Sequence, residues 1–365
     1  MRTPEWLNRL KRNYQILASD LNFAAIETLI KSDAPSVIEF YTRDAKKPKT
    51  KRNRFVRTLS LLKNLFTAFV IKLTPARRII YLVSLYFFVS GIFSGRLLHY
   101  FLGFLLLNIL LAFELANKLT AKDELEVARS IQLDLMPKTA PHLPHFDIAF
   151  FSETAREVGG DFYDFVPMNG SAHAMMVIIG DISGKGMGAA LHMVQVHTIM
   201  KNLGREGDIK ELLIEFNKKL ENLFPPETFL TSTFVGIENH NSIKLCRAGH
   251  MPLIYYASKD KSCSEITPAG IGIGLADSAI FASSLQEQSL EIFPGDVLLL
   301  YSDGLSETMN KAKEEFGEER IKTIIEKKNL KTAREIKEAI LKSIAEFRGL
   351  TSPHDDLTLI VMKAL

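Results

Sequence analysis

Two uninterrupted apolar runs dominate the pattern of hydrophobic and polar positions along the chain. They extend from Ile79 to Gly95 and from Leu97 to Phe113, and neither contains a charged residue. A helix of about 20 residues (range about 17–25) crosses the roughly 30 Å hydrocarbon core of a bilayer, so each run is just long enough to span it. Because only Arg96 separates them, we expect residues 79–113 to form two transmembrane helices in a hairpin. A pair of buried helices in a soluble core is the alternative.

The segment before the hairpin is strongly basic. Lys46 to Arg78 contains eleven Lys or Arg residues and no acidic residue. Basic flanks stay on the cytoplasmic side of a membrane, and a hairpin returns the chain to the side on which it started. We therefore expect residues 1–78 to form a basic cytoplasmic and juxtamembrane region, and the chain after the hairpin to be cytoplasmic. The stretch from Leu59 to Leu73 either lies in the membrane interface or is a plain linker.

A helical pattern continues beyond the second apolar run. We expect a linker helix over residues 114–137, which Pro137 ends. An apolar stripe on a helix between a membrane anchor and a domain favours pairing with a second copy, so we expect a homodimer formed through this helix. Packing of the helix on its own domain is the alternative. The stripe consists of Leu115, Leu119, Leu125, Ala128, Ile131 and Leu135.

Residues 146–365 have the pattern of one α+β domain. Short strand-like runs such as FDIAFFSE, AMMVIIGD and DLTLIVMK alternate with turn residues. Helical segments interrupt them at about 186–203, 208–224, 317–328 and 332–347. Hairpin-spaced strands with helix pairs between them predict layered sheets covered by helices, and they do not match the strand-helix alternation of a doubly wound parallel sheet.

A glycine-rich loop follows one predicted strand, in the sequence VIIGDISGKGMGAAL. A Walker A loop needs four residues between its first glycine and the Gly-Lys pair, whereas here only Asp181, Ile182 and Ser183 intervene. No acidic residue follows about twenty positions later, as a dinucleotide site requires. The loop therefore predicts no nucleotide site, and its glycines allow a tight turn from a strand into a helix.

Aspartates recur at strand ends in this domain. If the strand ends converge, two carboxylates about 4 Å apart repel by on the order of 4 kcal/mol at an effective dielectric near 20. Such a cluster needs protons or cations, and carboxylate oxygens select hard ions such as Mg²⁺ or Mn²⁺. Any one of these residues alone is more typical of a turn. The four are Asp161, Asp181, Asp303 and Asp355.

At these residues the chain resembles the PPM family of metal-dependent serine/threonine protein phosphatases, and in particular its bacterial SpoIIE/RsbU group. The similarity extends from about residue 124 to the end of the chain. It rests on the ordered motifs LEVARSIQLDLMP, AREVGGDFYDF, GDISGKGMGAAL, CRAGHMPLIYY, GIGIGL, GDVLLLYSDGLSE and HDDLTLIVM. The resemblance implies a PPM phosphatase-like α/β/β/α layered sandwich, with a site for two Mn²⁺ or Mg²⁺ ions.

Carried over position by position, the resemblance implies a set of metal ligands and one substrate-binding residue. Arg156 has the spacing of a phosphate-gripping arginine, although an ordinary surface ion pair is an equal alternative. Asp356 is the second choice to Asp355, and His250 in the RAGH motif is expected to have a structural role. The implied metal ligands are Asp161, Asp181, the backbone carbonyl of Ile182, Asp303 and Asp355.

The resemblance also implies a reaction and partners. Direct hydrolysis of phosphoserine or phosphothreonine needs no protein nucleophile, and the two cysteines form no metal or disulfide motif. The expected substrate is a phosphorylated anti-sigma factor antagonist in a partner-switching pathway, and the expected location is the bacterial inner (cytoplasmic) membrane. The nearly balanced net charge of +3 indicates no nucleic-acid partner. A catalytically inactive membrane scaffold that binds a signalling partner is the alternative function.

Overall fold

The computed structural model describes residues 54–168, 174–203, 208–237, 242–327 and 331–365. Most of the predicted basic N-terminal region, residues 1–53, therefore lies outside the described residues. The chain divides into two compact units, Met1–Leu119 and Thr120–Leu365.

The described part of the first unit is helical. Its helices are α1 (Arg54–Lys72), α2 (Pro75–Ser94) and α3 (Leu97–Leu135), and α3 continues into the second unit. Gly95 ends α2 with a left-handed φ of 64°, a conformation that glycine adopts without steric cost. Both predicted apolar runs are thus helical. By length and composition alone, α2 and α3 could each cross a membrane.

Small residues bring α2 and α3 into contact. The Ser84 hydroxyl donates a hydrogen bond of 2.8 Å to the carbonyl of Gly103, and the Tyr100 ring lies against Gly91. Close backbone approach at small residues is the usual way in which helices pair in a membrane. Arg77 and Glu114 form an ion pair of 2.9 Å between the outer ends of the two apolar segments.

The second unit contains two five-stranded sheets in which all strand pairs are antiparallel. The strand order is β1-β10-β9-β6-β7 in the first sheet and β2-β3-β4-β5-β8 in the second. The strands are β1 (Phe146–Glu153), β2 (Asp161–Pro167), β3 (Met175–Ile182), β4 (Leu230–Ile237), β5 (Ser242–Ala248), β6 (Leu253–Ala257), β7 (Ser262–Ile266), β8 (Glu287–Glu291), β9 (Val297–Tyr301) and β10 (Leu357–Ala364).

Helices cover the outer faces of both sheets. One hydrophobic core joins side chains of the two sheets and of α4 and α5, and a second lies between the first sheet and α8 and α9. This arrangement confirms the predicted α/β/β/α sandwich. The helices of this unit are α4 (Met187–Lys201), α5 (Ile209–Leu220), α6 (Ser278–Ser284), α7 (Asp303–Ser306), α8 (Glu318–Lys327) and α9 (Ala333–Arg348).

Two strands and two short helices were not expected from the sequence pattern. Strand β2 is almost entirely buried, but its aspartates interrupt the apolar pattern that would identify a strand. Strand β7, with the sequence SCSEI, is a polar edge strand without regular alternation. Helices α6 and α7 have only 7 and 4 residues, which is too short for a helical period to appear.

Candidate functional site

Four aspartates from separate segments of the chain lie close together. Asp161 begins β2 and is the direct cross-strand partner of Asp181 near the end of β3. Asp303 follows β9 as the first residue of α7, and Asp355 precedes β10. The charge of Asp181 interacts with those of Asp161, Asp303 and Asp355. The four aspartates singled out in the sequence therefore form one cluster, to which both sheets contribute.

The cluster is costly to ionise. Burial raises the pKa of Asp181 to about 8, and the neighbouring Asp303 and Asp355 charges add to this effect. Burial and the Asp181 charge raise the pKa of Asp161 well above its usual value. The pKa of Asp303 is also raised, by burial and by Asp355. Carboxylates that are close together and poorly hydrated favour either protons or cations among them.

Hydrogen bonds fix the orientation of the buried carboxylates. The hydroxyl of Ser302, which is fully buried, donates a 2.6 Å hydrogen bond to Asp161 Oδ2 and accepts one of 2.9 Å from the backbone N–H of Thr358. Ser302 thereby connects Asp161 of the second sheet to β10 of the first sheet.

Asp355 and Asp356 have different surroundings. Both carboxylate oxygens of Asp356 accept backbone N–H hydrogen bonds of 2.8 Å, one from Ala155 and one from Gly160. Asp355 instead is partly exposed and contacts the Lys185 ammonium. Asp356 thus holds the loop before β2, whereas Asp355 is the more exposed of the two and, among the described residues, forms no hydrogen bond with that loop.

Two glycines before Asp161 leave room for these groups. A Cβ atom at Gly160 would lie 2.7 Å from Asp181 Oδ1 and 2.8 Å from the carbonyl oxygen of Ile182, and one at Gly159 would lie 2.2 Å from Asp356 Oδ2. The Ile182 carbonyl oxygen and the Asp181 carboxylate therefore both lie against Gly160. Any larger residue would occupy the space in which these oxygens meet.

The end of the linker helix contacts this loop through Gln132. Its side chain is buried, donating a 2.6 Å hydrogen bond to the Gly159 carbonyl and accepting one of 3.3 Å from the Gly159 N–H. In addition, Tyr163 of β2 donates a 2.8 Å hydrogen bond to the carbonyl of Pro137. The last turn of α3 therefore packs on its own domain, two residues away from Asp161.

A cavity beside the carboxylates is lined by basic as well as acidic side chains. It is lined by Arg156, Lys185 and His354 together with Asp181, Asp355 and Asp356. The Arg156 side chain is exposed and forms no ion pair among the described residues. The structure thus places Arg156 near the cluster and free to meet an anion.

His250 lies beside a second cavity of about 200 Å³ that is also lined by Asp181 and Asp303. Its Nδ1 is 3.0 Å from the Thr231 hydroxyl, and Thr231 is the cross-strand partner of Asp181. Burial and the nearby Arg247 lower the pKa of His250 to about 3. The ring is therefore neutral at physiological pH, which suits a structural role for His250.

The donor set is of the kind that hard divalent ions prefer, and in this structure its carboxylates contact other groups of the chain. No group of three or more His, Cys, Asp or Glu side chains within the described ranges has the geometry of a metal cluster. Instead, Ser302, Lys185 and backbone N–H groups contact the carboxylates. An all-oxygen set with raised pKa values and no soft ligand fits Mg²⁺ or Mn²⁺ better than Zn²⁺.

Three contributors to the site were not identified from the sequence. Lys185 is the basic residue within the glycine loop, and Ser302 directly precedes Asp303, so proximity to a motif could have indicated both. Gln132 gave no such signal because a single polar residue on an amphipathic helix is usually solvated.

Comparisons with known proteins agree with this fold and site. The family model described as Stage II sporulation protein E (SpoIIE) matches residues 171–365, more than half of the chain. Phosphoserine phosphatase RsbU of Bacillus subtilis is 28% identical over 245 residues, which cover 66% of this chain and 70% of that protein. Protein IcfG of Synechocystis is 25% identical over 268 residues, 66% of this chain and only 41% of the relative.

Solved structures share the sandwich at lower identity. The SiaA-PP2C domain of Pseudomonas aeruginosa has a TM-score of 0.58 at 19% identity, covering 68% of this chain and 98% of that domain. The RsbU and RsbW domains of Rv1364c from Mycobacterium tuberculosis give a TM-score of 0.52 at 23% identity, covering 63% of each chain. These similarities establish a PP2C-like fold. From the match to its family model, the chain belongs to the SpoIIE family.

Proposed function

We propose that the chain is a membrane-anchored, metal-dependent protein serine/threonine phosphatase. The observation that carries the proposal is the convergence of Asp161, Asp181, Asp303 and Asp355 from both sheets, with raised pKa values at three of them. Buried carboxylates that repel one another destabilise a fold, so we expect a protein to keep them only where they have a function. The name of the Bacillus subtilis relative, a phosphoserine phosphatase, supports the same activity.

The proposed site holds two Mn²⁺ or Mg²⁺ ions. Asp161, Asp181, Asp303 and Asp355 would hold the ions through their carboxylates, with Asp161 and Asp181 as the ligands expected to be shared, and Ile182 would contribute its carbonyl oxygen. When bound, the ions would polarise the phosphoryl oxygens and lower the pKa of water.

The remaining residues bind and orient the substrate and the ligands. Arg156 approaches the phosphoryl oxygens from the rim, where a guanidinium can donate two parallel hydrogen bonds. Ser302 keeps Asp161 in one orientation through its 2.6 Å hydrogen bond. Neutral His250 supports Thr231 and so the end of β3. Water attacks the phosphorus directly, and no residue of the chain becomes phosphorylated.

The proposed location is the bacterial inner membrane, with α2 and the first part of α3 as spans and the phosphatase domain in the cytoplasm. The two apolar helices support this topology, and the basic residues before α2 support the orientation. We assign residues 1–78 to a basic juxtamembrane region, 79–113 to the two spans, 114–137 to a linker helix that dimerises, and 146–365 to the phosphatase domain.

The proposed substrate is a phosphorylated regulatory protein, namely an anti-sigma factor antagonist. The relatives support this assignment, because one is RsbU and a structural neighbour contains RsbU and RsbW domains in one chain. Dephosphorylation would then change which partner the antagonist binds.

Phosphate release from a phosphoserine peptide tests the activity. A fragment of residues 120–365, which form one compact unit, is assayed with Mn²⁺, with excess chelator, and as the Asp181→Asn variant. The exposed Glu346→Gln variant is the matched control, because it removes the same charge far from the cluster. We expect activity only with Mn²⁺, and only in the wild-type and control proteins. Activity that persists in chelator or in Asp181→Asn contradicts the metal mechanism, and a folded but inactive wild-type fragment would indicate the scaffold.

A further inference from the structure

The ammonium of Lys185 lies at the solvent edge of the carboxylate cluster. Lys185 is in the loop between β3 and α4, and its Nζ contacts Asp355 Oδ2. The lysine side chain is 45% exposed and that of Asp355 is 27% exposed. Lys185 therefore reaches the cluster from solvent and is not part of the core.

Lys185 also interacts with other members of the cluster. Its positive charge acts on Asp181 and Asp303, where it opposes the effects of burial and of the other carboxylates. Among the described residues, its contact with Asp355 is the only ion pair made by any of the four clustered aspartates. The ammonium thus provides the compensating charge that such a cluster requires.

The loop that carries Lys185 is anchored at its base and open at its tip. The backbone N–H of Ser183 donates a 2.9 Å hydrogen bond to the carbonyl of Phe229, and the backbone N–H of Phe229 donates one of 2.9 Å to the hydroxyl of Ser183. Gly184 and Gly186, on either side of Lys185, have φ values of 97° and 75°, and no atom lies within 4 Å of a Cβ built on either. The positions on both sides of Lys185 are therefore open, and its half-exposed side chain can leave Asp355 for solvent.

We propose that Lys185 is a resident counter-ion that competes with the metal for Asp355. An ammonium and a divalent ion on the same carboxylate oxygen repel each other, and the other oxygen of Asp355, Oδ1, already accepts a 3.0 Å hydrogen bond from the backbone N–H of Asp356. Metal binding at Asp355 therefore requires Lys185 to leave, and the affinity for metal is reduced by the stability of the lysine contact. This inference rests on the proposed metal centre, and it assigns Lys185 a role in setting the metal concentration at which the centre fills.

Mn²⁺ titration of the full-length chain in lipid nanodiscs tests the competition. Binding of Mn²⁺ alone is measured by calorimetry for the wild type, Lys185→Gln and Lys342→Gln. Lys342 is the matched control because it is an exposed lysine paired with Glu346, away from the cluster. We expect Lys185→Gln to bind Mn²⁺ up to about fivefold more tightly, because an ion pair with a half-exposed lysine contributes at most about 1 kcal/mol. We expect Lys342→Gln to bind like the wild type.

Amine labelling of the wild-type chain provides a second readout that needs no variant. Acetylation of individual lysines is followed by mass spectrometry with and without Mn²⁺, with Lys342 as the internal reference. Release from Asp355 should make Lys185 react faster when Mn²⁺ is present, with no change at Lys342. If Lys185→Gln fails to fold, the labelling rate of Lys185 in the wild type still tests whether Mn²⁺ displaces it from Asp355.

The outcomes separate this inference from the proposed function. If wild-type chain binds Mn²⁺ but Lys185→Gln binds it no more tightly, Lys185 does not compete and the inference is wrong. Unchanged or slower labelling of Lys185 in Mn²⁺ also overturns it. If the wild type binds no Mn²⁺ at all, the proposed metal centre itself is wrong, and the role of Lys185 is lost with it.

Discussion

Neutralising Asp181 should stabilise the phosphatase domain when metal is absent. In the metal-free protein, this carboxyl lies among Asp303, Asp355 and Asp356 with only partial compensation from Lys185. Asparagine has nearly the same shape but no charge. The Asp181→Asn substitution therefore removes repulsion without creating a cavity, and it separates the energetic cost of the site from its catalytic use.

The magnitude follows from the pKa of Asp181, which is about 8 in the folded chain, whereas an aspartate ordinarily has a pKa of 3.8. A carboxyl with a higher pKa in the folded state binds its proton more tightly there. Its contribution to stability is thus complete below about pH 4 and is lost as the pH rises towards 8. Each pH unit within this window costs about 1.4 kcal/mol for one proton, so the change from pH 5 to pH 7 costs the wild type about 3 kcal/mol.

Urea unfolding of residues 120–365 in excess chelator, followed by far-ultraviolet circular dichroism, measures this difference. We expect the stability advantage of Asp181→Asn over the wild type to be about 3 kcal/mol larger at pH 7 than at pH 5. Adding Mn²⁺ should stabilise the wild type and not the variant. Glu346→Gln, an exposed carboxyl outside the cluster, should show no comparable gap.

Two results would refute the reasoning. One is an Asp181→Asn variant that is less stable than the wild type at pH 7 without metal, since this would mean that the carboxylate makes favourable interactions in the metal-free fold. The other is a stability difference that does not depend on pH, since this would show that the pKa of Asp181 is not raised.

Three further substitutions probe the residues around the carboxylates. Ser302→Ala removes the hydrogen bond to Asp161 and leaves the Thr358 N–H without its acceptor. We expect this substitution to lower the free energy of unfolding in urea by about 2 kcal/mol and to weaken Mn²⁺ binding measured by calorimetry. Gln132→Leu leaves both polar groups of Gly159 unpaired, and we expect kcat for a phosphoserine peptide to fall while the domain remains folded by circular dichroism. Arg156→Ala should raise KM for that peptide about tenfold with a smaller effect on kcat, if the guanidinium binds the phosphoryl group; unchanged KM would exclude this role.

Much of the sandwich could be predicted because its strands are short apolar runs with turn residues between them. FDIAFFSE, for example, matches β1 from Phe146 to Glu153. The strands that escaped prediction are those whose environment departs from this rule. Strand β2 is buried although it carries Asp161 and Asp164, and edge strand β7 is polar. In both cases the position in the sheet, and not the local sequence, determines the conformation.

The aspartates could be predicted as a set, but their partners could not. Recurrence of aspartate at strand ends indicated Asp161, Asp181, Asp303 and Asp355, and the structure brings them together. The contacts of Lys185, Ser302 and Gln132 join segments that are distant in sequence, such as Ser302 and Asp161, 141 residues apart. Such pairings depend on how the sheets stack, and no local pattern encodes them.

The division of the carboxylates between two sheets has a consequence for folding. Gly160 beside Asp161 is bonded to Asp356, 196 residues later in the chain, so the last strand must be synthesised and docked before the cluster exists. Contacts of such long sequence separation form late and slowly. A nascent or partly folded chain should therefore bind no ions at this site, and hydrolytic competence should appear only when the carboxyl-terminal strand has been inserted. Phosphatase activity therefore indicates that both sheets of the sandwich have formed.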